Sequence, residues 1–357
     1  MAATLREERL RSHRLTAPAP SVAAAAEHML ATQAQEFWGG RWALASRTRG
    51  EPRLRDVDAA FDRGEIVRSW TMRGTIHVIP ARDLAWVLSL TAQRQDRSAA
   101  QVRRVEAIDE GVLAGVEAAT RAALAGGNRL TRKELAEVWE AAGHSTAKQR
   151  GYHLLVAMSL RGVVCQGPVV ARDSGPSREQ YLVLAEEWIA GSANPADPLA
   201  EFFVRYIQSH GPAGPRDFAW WSGLPLRDAR QAAAAASDRL TQVADAPEPL
   251  YVAAGARPRR SPVPPVLALP PFEEYYLSYA DRSVPCAPEF LAAVGPSLNG
   301  IVRPILVARG EVVGVWTHSV AVGRHADDPV PELFAPGAAT DEEVAAALDR
   351  YKAFITG

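Results

Sequence analysis

The chain is poor in cysteine and lysine and has no long apolar run. Its only cysteines, Cys165 and Cys286, lie far apart in a sequence of 357 residues. Two such residues build neither an iron–sulfur cluster nor a cysteine-rich zinc site, and they do not read as a structural disulfide. No apolar stretch approaches the ~18 residues of a membrane span, so no membrane partner is expected. Met1 to Arg14 is polar and charged, unlike the apolar centre of a signal peptide. These absences point to a soluble cytoplasmic protein.

Of the 40 basic residues, only Lys133, Lys148 and Lys352 are lysine. Arginine suits phosphates and base edges, because its planar fork binds bidentately. A GC-rich coding sequence also yields chains rich in Ala, Arg, Gly and Pro. The formal net charge of −1 excludes a strongly basic chain, so any DNA contact must come from a local basic surface. Metal-ligand spacing, a nucleophile elbow, a phosphate loop and a dinucleotide fingerprint are all missing. No metal and no cofactor are expected. Gly39-Gly40 and Gly126-Gly127 read as helix boundaries that need no ligand.

What is present suffices for a sizeable core, with 47% hydrophobic and 23% charged residues. The length suits two or three domains. Ser21 is an N-cap for a helix through Val22, Ala26, Met29 and Leu30. Trp38 to Arg47 and Arg53 to Asp62 are the next helices, the latter closed by Gly64. The period then changes. Ile66, Val67 and Trp70, followed by Ile76, Val78 and Ile79, read as two strands around Met72-Arg73-Gly74, stopped by Pro80. Three short helices and a hairpin make a winged-helix arrangement.

The pattern recurs twice. Glu110 to Leu124, Arg132 to Ala142 (capped by Thr131 and Glu134) and Thr146 to Arg161 precede strands at Val163–Cys165 and Tyr181–Leu184. Leu199 to His210, Gly214 to Trp221 and an alanine-rich helix from Pro225 to about Asp238 precede strands at Leu240–Val243 and Leu250–Val252. The fold expected is α+β and mainly helical. It comprises three tandem winged helices, at 1–100, 101–195 and 196–262, and a small β-rich C-terminal module at 263–357. Arg257 to Pro262 is the Pro/Arg-rich connector. The module holds strands at Val266–Leu269, Ile301–Val307 and Val312–Trp316, then a closing helix capped by Thr340 and Glu343.

Six stretches are candidates for function. Gln33 and Gln35 are separated by one alanine. In an extended segment residues two apart point the same way, roughly 7 Å between Cα atoms, so two amides could hold one water. In a helix they diverge by about 200° and cannot cooperate. Alternatively, Gln33 caps a helix and Gln35 is a surface residue. Arg73, Thr75 and His77 lie in the first hairpin, where alternation puts Thr75 and His77 on one face, either solvated or turned to a backbone or to the glutamines. Leu269 to Arg282 is dense in aromatics and acids, with a possible Asp281–Arg282 pair, and reads as an interface plug or a cleft lining. Of the adjacent Trp220 and Trp221, at least one belongs in the core. Arg41 and Arg47, beside Arg49, could contact phosphates or cover a solvated face. Arg309 tips the late hairpin and could probe a groove.

Taken in order, four motifs resemble the AlkZ-like winged-helix DNA glycosylases, over nearly the whole chain from about Leu15. They are Gln-x-Gln after the first helix, Arg73-Gly74-Thr75-Ile76-His77, Leu269-Pro-Pro-Phe-Glu-Glu-Tyr-Tyr-Leu with Asp281-Arg282-Ser283, and Asn299-Gly-Ile-Val-Arg-Pro with Gly314-Val315-Trp316. The resemblance implies a concave surface of three winged helices on double-stranded DNA, excision of N7-alkylated purines, and in some members unhooking of interstrand crosslinks. It implies that Gln33 and Gln35 are the catalytic pair. Trp38, Arg41, Arg47, Arg73, Thr75, His77, Asp281, Arg282 and Arg309 are then expected to touch DNA or support the pair. Gln at the second position places the chain nearer the branch linked to antibiotic self-resistance, although Glu36 stands where relatives often have Asp. No lysine precedes Lys133, so a Schiff-base lyase is not expected. Three units in one chain favour a monomer, and a DNA-repair role would make it nucleoid-associated. The competing expectation is a winged-helix regulator without catalysis. Its recognition helix would be Thr146 to Arg161, since the alanine-rich Gln231 to Ala236 has little to read bases with.

Overall fold

Local signals set most element boundaries in the computed structural model, which describes residues 2–172, 175–244, 246, 248–255, 264–321 and 323–357. The Arg257 to Pro262 connector lies outside the described residues. The fold is α+β, roughly half helical with small antiparallel sheets. The chain divides into two compact units, one of Met1–Val57, Arg172–Pro176 and Leu199–Gly357, the other of Asp58–Ala171 and Ser177–Pro198.

In the first unit the helix Val22–Met29 begins where the Ser21 side chain accepts a hydrogen bond from the Ala24 amide. It ends at Leu30, whose φ of 62° stops the helix. The chain then runs extended through Thr32–Gln33, and helix resumes at Phe37–Ala45. A four-stranded antiparallel sheet has the order Val330–Leu333, Glu311–Thr317, Ile305–Ala308, Val266–Leu269. The expected strand from Ile301 starts only after Pro304, which cannot donate to a ladder. The closing helix Asp341–Thr356 has the Thr340/Glu343 capping box and packs on Val266–Leu269 and on Phe37–Ala45. Indole donors fasten these layers. Trp42 Nε1 donates to the Ala268 carbonyl at 2.8 Å, and Trp316 Nε1 to that of Leu269 at 3.0 Å.

The glycine pair at 39–40 is not a helix boundary, as the sequence suggested. Both residues are inside the helix. A Cβ on Gly39 would sit 3.0 Å from Pro271 Cγ, so the glycine lets the helix approach the Pro270-Pro271 turn closely.

The second unit holds the hairpin Ile66–Met72 and Thr75–Pro80. Its turn residues Arg73 and Gly74 both have positive φ (54° and 70°), as a tight hairpin turn needs. The strand Ile66–Met72 also pairs with Val164–Val169 through Arg68 and Gln166, and Val164–Val169 pairs with Gln180–Leu184. Two hairpins far apart in sequence therefore share one sheet. The helix expected from Thr146 starts at Arg150, because Lys148 takes a φ of 57° and a turn precedes it. The sequence reading gave no element to Ala2–Ser12 or to the 22-residue helix Leu84–Val105. The latter buries Leu84, Trp86, Val87, Leu88 and Thr91 only, all near its start, so most of its length carries no apolar period.

Candidate active site

Gln33 and Gln35 lie in the non-helical link between the helices Val22–Met29 and Phe37–Ala45. The extended alternative is thus the one the chain adopts around Gln33. Thr32, Gln33 and Ala34 are buried, while Gln35 and Glu36 are exposed.

The Gln33 amide nitrogen donates to Glu274 Oε1 at 2.7 Å, across 241 positions of sequence. The second oxygen of Glu274 accepts from Trp221 Nε1 at 3.0 Å and from the Ser278 hydroxyl. Its neighbour Glu273 turns the other way. It accepts from the Tyr275 amide at 2.9 Å and forms a fully buried ion pair with Arg47. Arg47 also donates to the Ala43 carbonyl at 3.0 Å. One glutamate therefore holds the chain at the glutamines, and the next holds it just past the following helix. Within Leu269 to Arg282, expected as an interface plug or cleft lining, Glu273 and Glu274 form the buried brace of the glutamine segment.

Around this brace lies a buried polar cluster. Tyr279 Oη donates to the His210 carbonyl at 2.7 Å and lies 2.8 Å from His13 Nε2, which assigns the His13 proton to Nε2. Tyr206 Oη donates to the Ser278 carbonyl at 2.8 Å. The His13 and His210 rings meet at 4.6 Å. Burial, then the neighbouring positive groups, holds His13 well below its ordinary value, and burial also lowers His210. Both rings are neutral at pH 7, so the cluster carries no histidine charge to compete with the glutamates' partners.

The remaining expected residues divide sharply. Arg41 and Arg47 are buried, Arg41 with its guanidinium 4.0 Å over the Phe37 ring, so neither presents its head to a phosphate. The solvated-face alternative fails for both as well. Trp38 is half-buried, 5.9 Å from Trp316 and 5.6 Å from Tyr351, and joins the link to the closing helix. Asp281 is exposed and accepts from the Ser283 amide, which lowers its titration. Arg282 lies 5.2 Å over Trp220, the half-exposed member of the tryptophan pair, while Trp221 is core. Arg309 is exposed at its hairpin tip. In the second unit, Arg73 and Thr75 are partly exposed. His77 is fully buried with Thr71 Oγ1 3.0 Å from its Nδ1, so the strand face is closed to solvent at His77. The turn itself is tied to the long helix by Gln95, which accepts from Gly74 N and donates to the Thr71 carbonyl.

Among the described residues no cluster of three or more His, Cys, Asp or Glu could hold a metal, and no helix is long and apolar enough to cross a membrane. The two cysteines are free and buried. Sequence reasoning missed the role of the two adjacent glutamates. Acids inside an aromatic, apolar run were the signal, since such acids are rarely buried without partners.

The chain is 25% identical over 277 residues to an interstrand DNA cross-link repair glycosylase of Streptomyces sahachiroi, covering 70% of each protein. Its fold is similar to that of the Streptomyces sahachiroi DNA glycosylase AlkZ, with a TM-score of 0.76 and 21% identity over 99% of this chain and 96% of that one. The model of the AlkZ-like DNA glycosylases matches residues 26–354. A match of that extent sets aside the non-catalytic regulator: this chain belongs to the AlkZ-like DNA glycosylase family and is an enzyme.

Proposed function

We propose that this glycosylase hydrolyses the N-glycosidic bond of N7-alkylated guanine in double-stranded DNA, with Gln33 and Gln35 as its catalytic pair, and that it acts on bulky adducts or interstrand crosslinks. The observation that carries the reading is the Gln-x-Gln link itself, with an exposed Gln35 beside a buried, backbone-braced Gln33. The chemistry needs no acid. An N7-alkylguanine already carries positive charge on the base, so its departure requires no protonation. What remains is to place a water at C1′ and to stabilise the cation that develops there. Amide oxygens aimed at that position do both, and positioning alone removes several kcal/mol from such a barrier.

The reading includes three winged helices along the chain, with Arg73, Thr75, Arg282 and Arg309 as the residues nearest DNA. Trp38, Arg41, Arg47, His77 and Asp281 support the elements around them. The relative's crosslink-repair name favours a self-resistance role against a genotoxic natural product. The product is an intact abasic site. Lysine is scarce, none precedes Lys133, and none lies near the glutamines in the sequence, which argues against a Schiff base. Base release and lesion binding, measured for wild type and for each glutamine variant, test the reading.

A further inference from the structure

We propose that Glu274 is the positioning residue of the glutamine pair: its buried carboxylate fixes the Gln33 backbone and so sets where the two amides meet the sugar. The inference rests on the reading of Gln33 and Gln35 as the catalytic pair.

Three observations carry it. First, the carboxylate is almost fully buried, yet one of its oxygens is given to the Gln33 amide at 2.7 Å. Second, the other oxygen accepts from two donors, one distant in sequence and one at the C-cap of the short helix Glu274–Leu277. They are Trp221 Nε1 from the helix Pro215–Ser222 and the Ser278 hydroxyl. An oxygen held from two sides cannot drift, so the first oxygen is held as well. Third, Glu273 ties Arg47 at the far side of the helix Phe37–Ala45. The glutamines thus sit at one end of a segment clamped at both ends by adjacent residues. Glu274 itself is too buried to touch a substrate, so it acts through Gln33. Small errors in such placement cost catalysis more than binding, because the lesion is gripped over a much wider surface.

Substitution by glutamine is informative. An amide has one accepting oxygen, and its NH2 must face either the Gln33 amide or the Trp221 indole, both of which are donors. Glu274→Gln therefore loses one of the two anchors. Glu274→Asp keeps the charge but shortens the reach by one methylene.

The test uses the full chain and a duplex with one N7-methylguanine or one N7-guanine crosslink, whichever wild type processes faster. Single-turnover base release, lesion affinity and melting temperature are read for Glu274→Gln, Glu274→Asp, Gln35→Ala and Phe203→Leu. Phe203 is a core residue of the same unit outside the brace, and its variant controls for lost stability. The inference expects both Glu274 variants to release base at least tenfold more slowly with affinity within threefold, and Phe203→Leu to keep the wild-type rate. If Glu274→Gln fails to fold, Glu274→Asp carries the same expectation. A folded Glu274 variant with the wild-type rate overturns the inference, as does an equal rate loss in Phe203→Leu at matched stability. If Gln35→Ala also keeps the wild-type rate, the catalytic pair itself is wrong. If it loses the rate while the Glu274 variants do not, only the positioning role falls.

Discussion

Gln33 and Glu274 are joined backbone to carboxylate at 2.7 Å, although they stand 241 positions apart in the sequence. The contact makes the C-terminal part of the protein a structural support of the N-terminal glutamine segment. It also explains why an acidic pair sits within an apolar stretch.

The Arg47–Glu273 pair gives a first prediction. Both side chains are fully buried. Arg47→Ala leaves a buried carboxylate without its cation, and breaking such a pair costs about 3–5 kcal/mol. Urea denaturation should show this loss. A surface arginine serving only phosphates would instead weaken DNA binding and flatten its salt dependence, with stability unchanged.

The two neutral histidines give a pH dependence. Burial lowers His13 and His210 in the folded state, so the unfolded chain takes up protons first as pH falls through about 6.5. Stability is therefore full above that value and declines below it. Both rings contribute to that decline, His13 the more strongly. The unfolding free energy of His13→Gln should fall less steeply than that of wild type between about pH 7.5 and 5.5.

Gly310, beside Arg309 at the late hairpin, has a φ of 84°. A Cβ there would lie 2.9 Å from Arg6 Cβ and 3.2 Å from Tyr275 Oη. Gly310→Ala combines a left-handed backbone with that crowding and should destabilise by about 2 kcal/mol. A lowered melting temperature is the expected readout, and an unchanged one contradicts the packing described.

No covalent intermediate should form. With no lysine before Lys133 in the sequence, borohydride should trap no protein–DNA adduct, and the abasic product should stay unnicked until alkali is added. A trapped adduct would identify a lyase.

Much of the fold was legible because it is written locally. Ser21, Thr131 with Glu134, and Thr340 with Glu343 cap helices at the expected positions. Arg73-Gly74 turns the expected hairpin. The long helix Leu84–Val105 escaped because its exposed half has no apolar stripe. At the site, the glutamines stood out through the family's motif order, and their spacing alone left them ambiguous. The fate of Arg41, Arg47 and His77 was not legible. Whether a polar side chain is solvated or buried depends on partners distant in sequence, such as Glu273 for Arg47. A local period cannot report such a partner.

The most direct measurement is single-turnover release of N7-methylguanine from a duplex by wild type, Gln33→Ala and Gln35→Ala, read by alkaline cleavage and paired with lesion affinity. We expect wild type to release the base. Each variant should bind the duplex comparably but release base about 100-fold more slowly, the scale on which losing one transition-state contact acts. Wild-type rates in both glutamine variants would contradict the account.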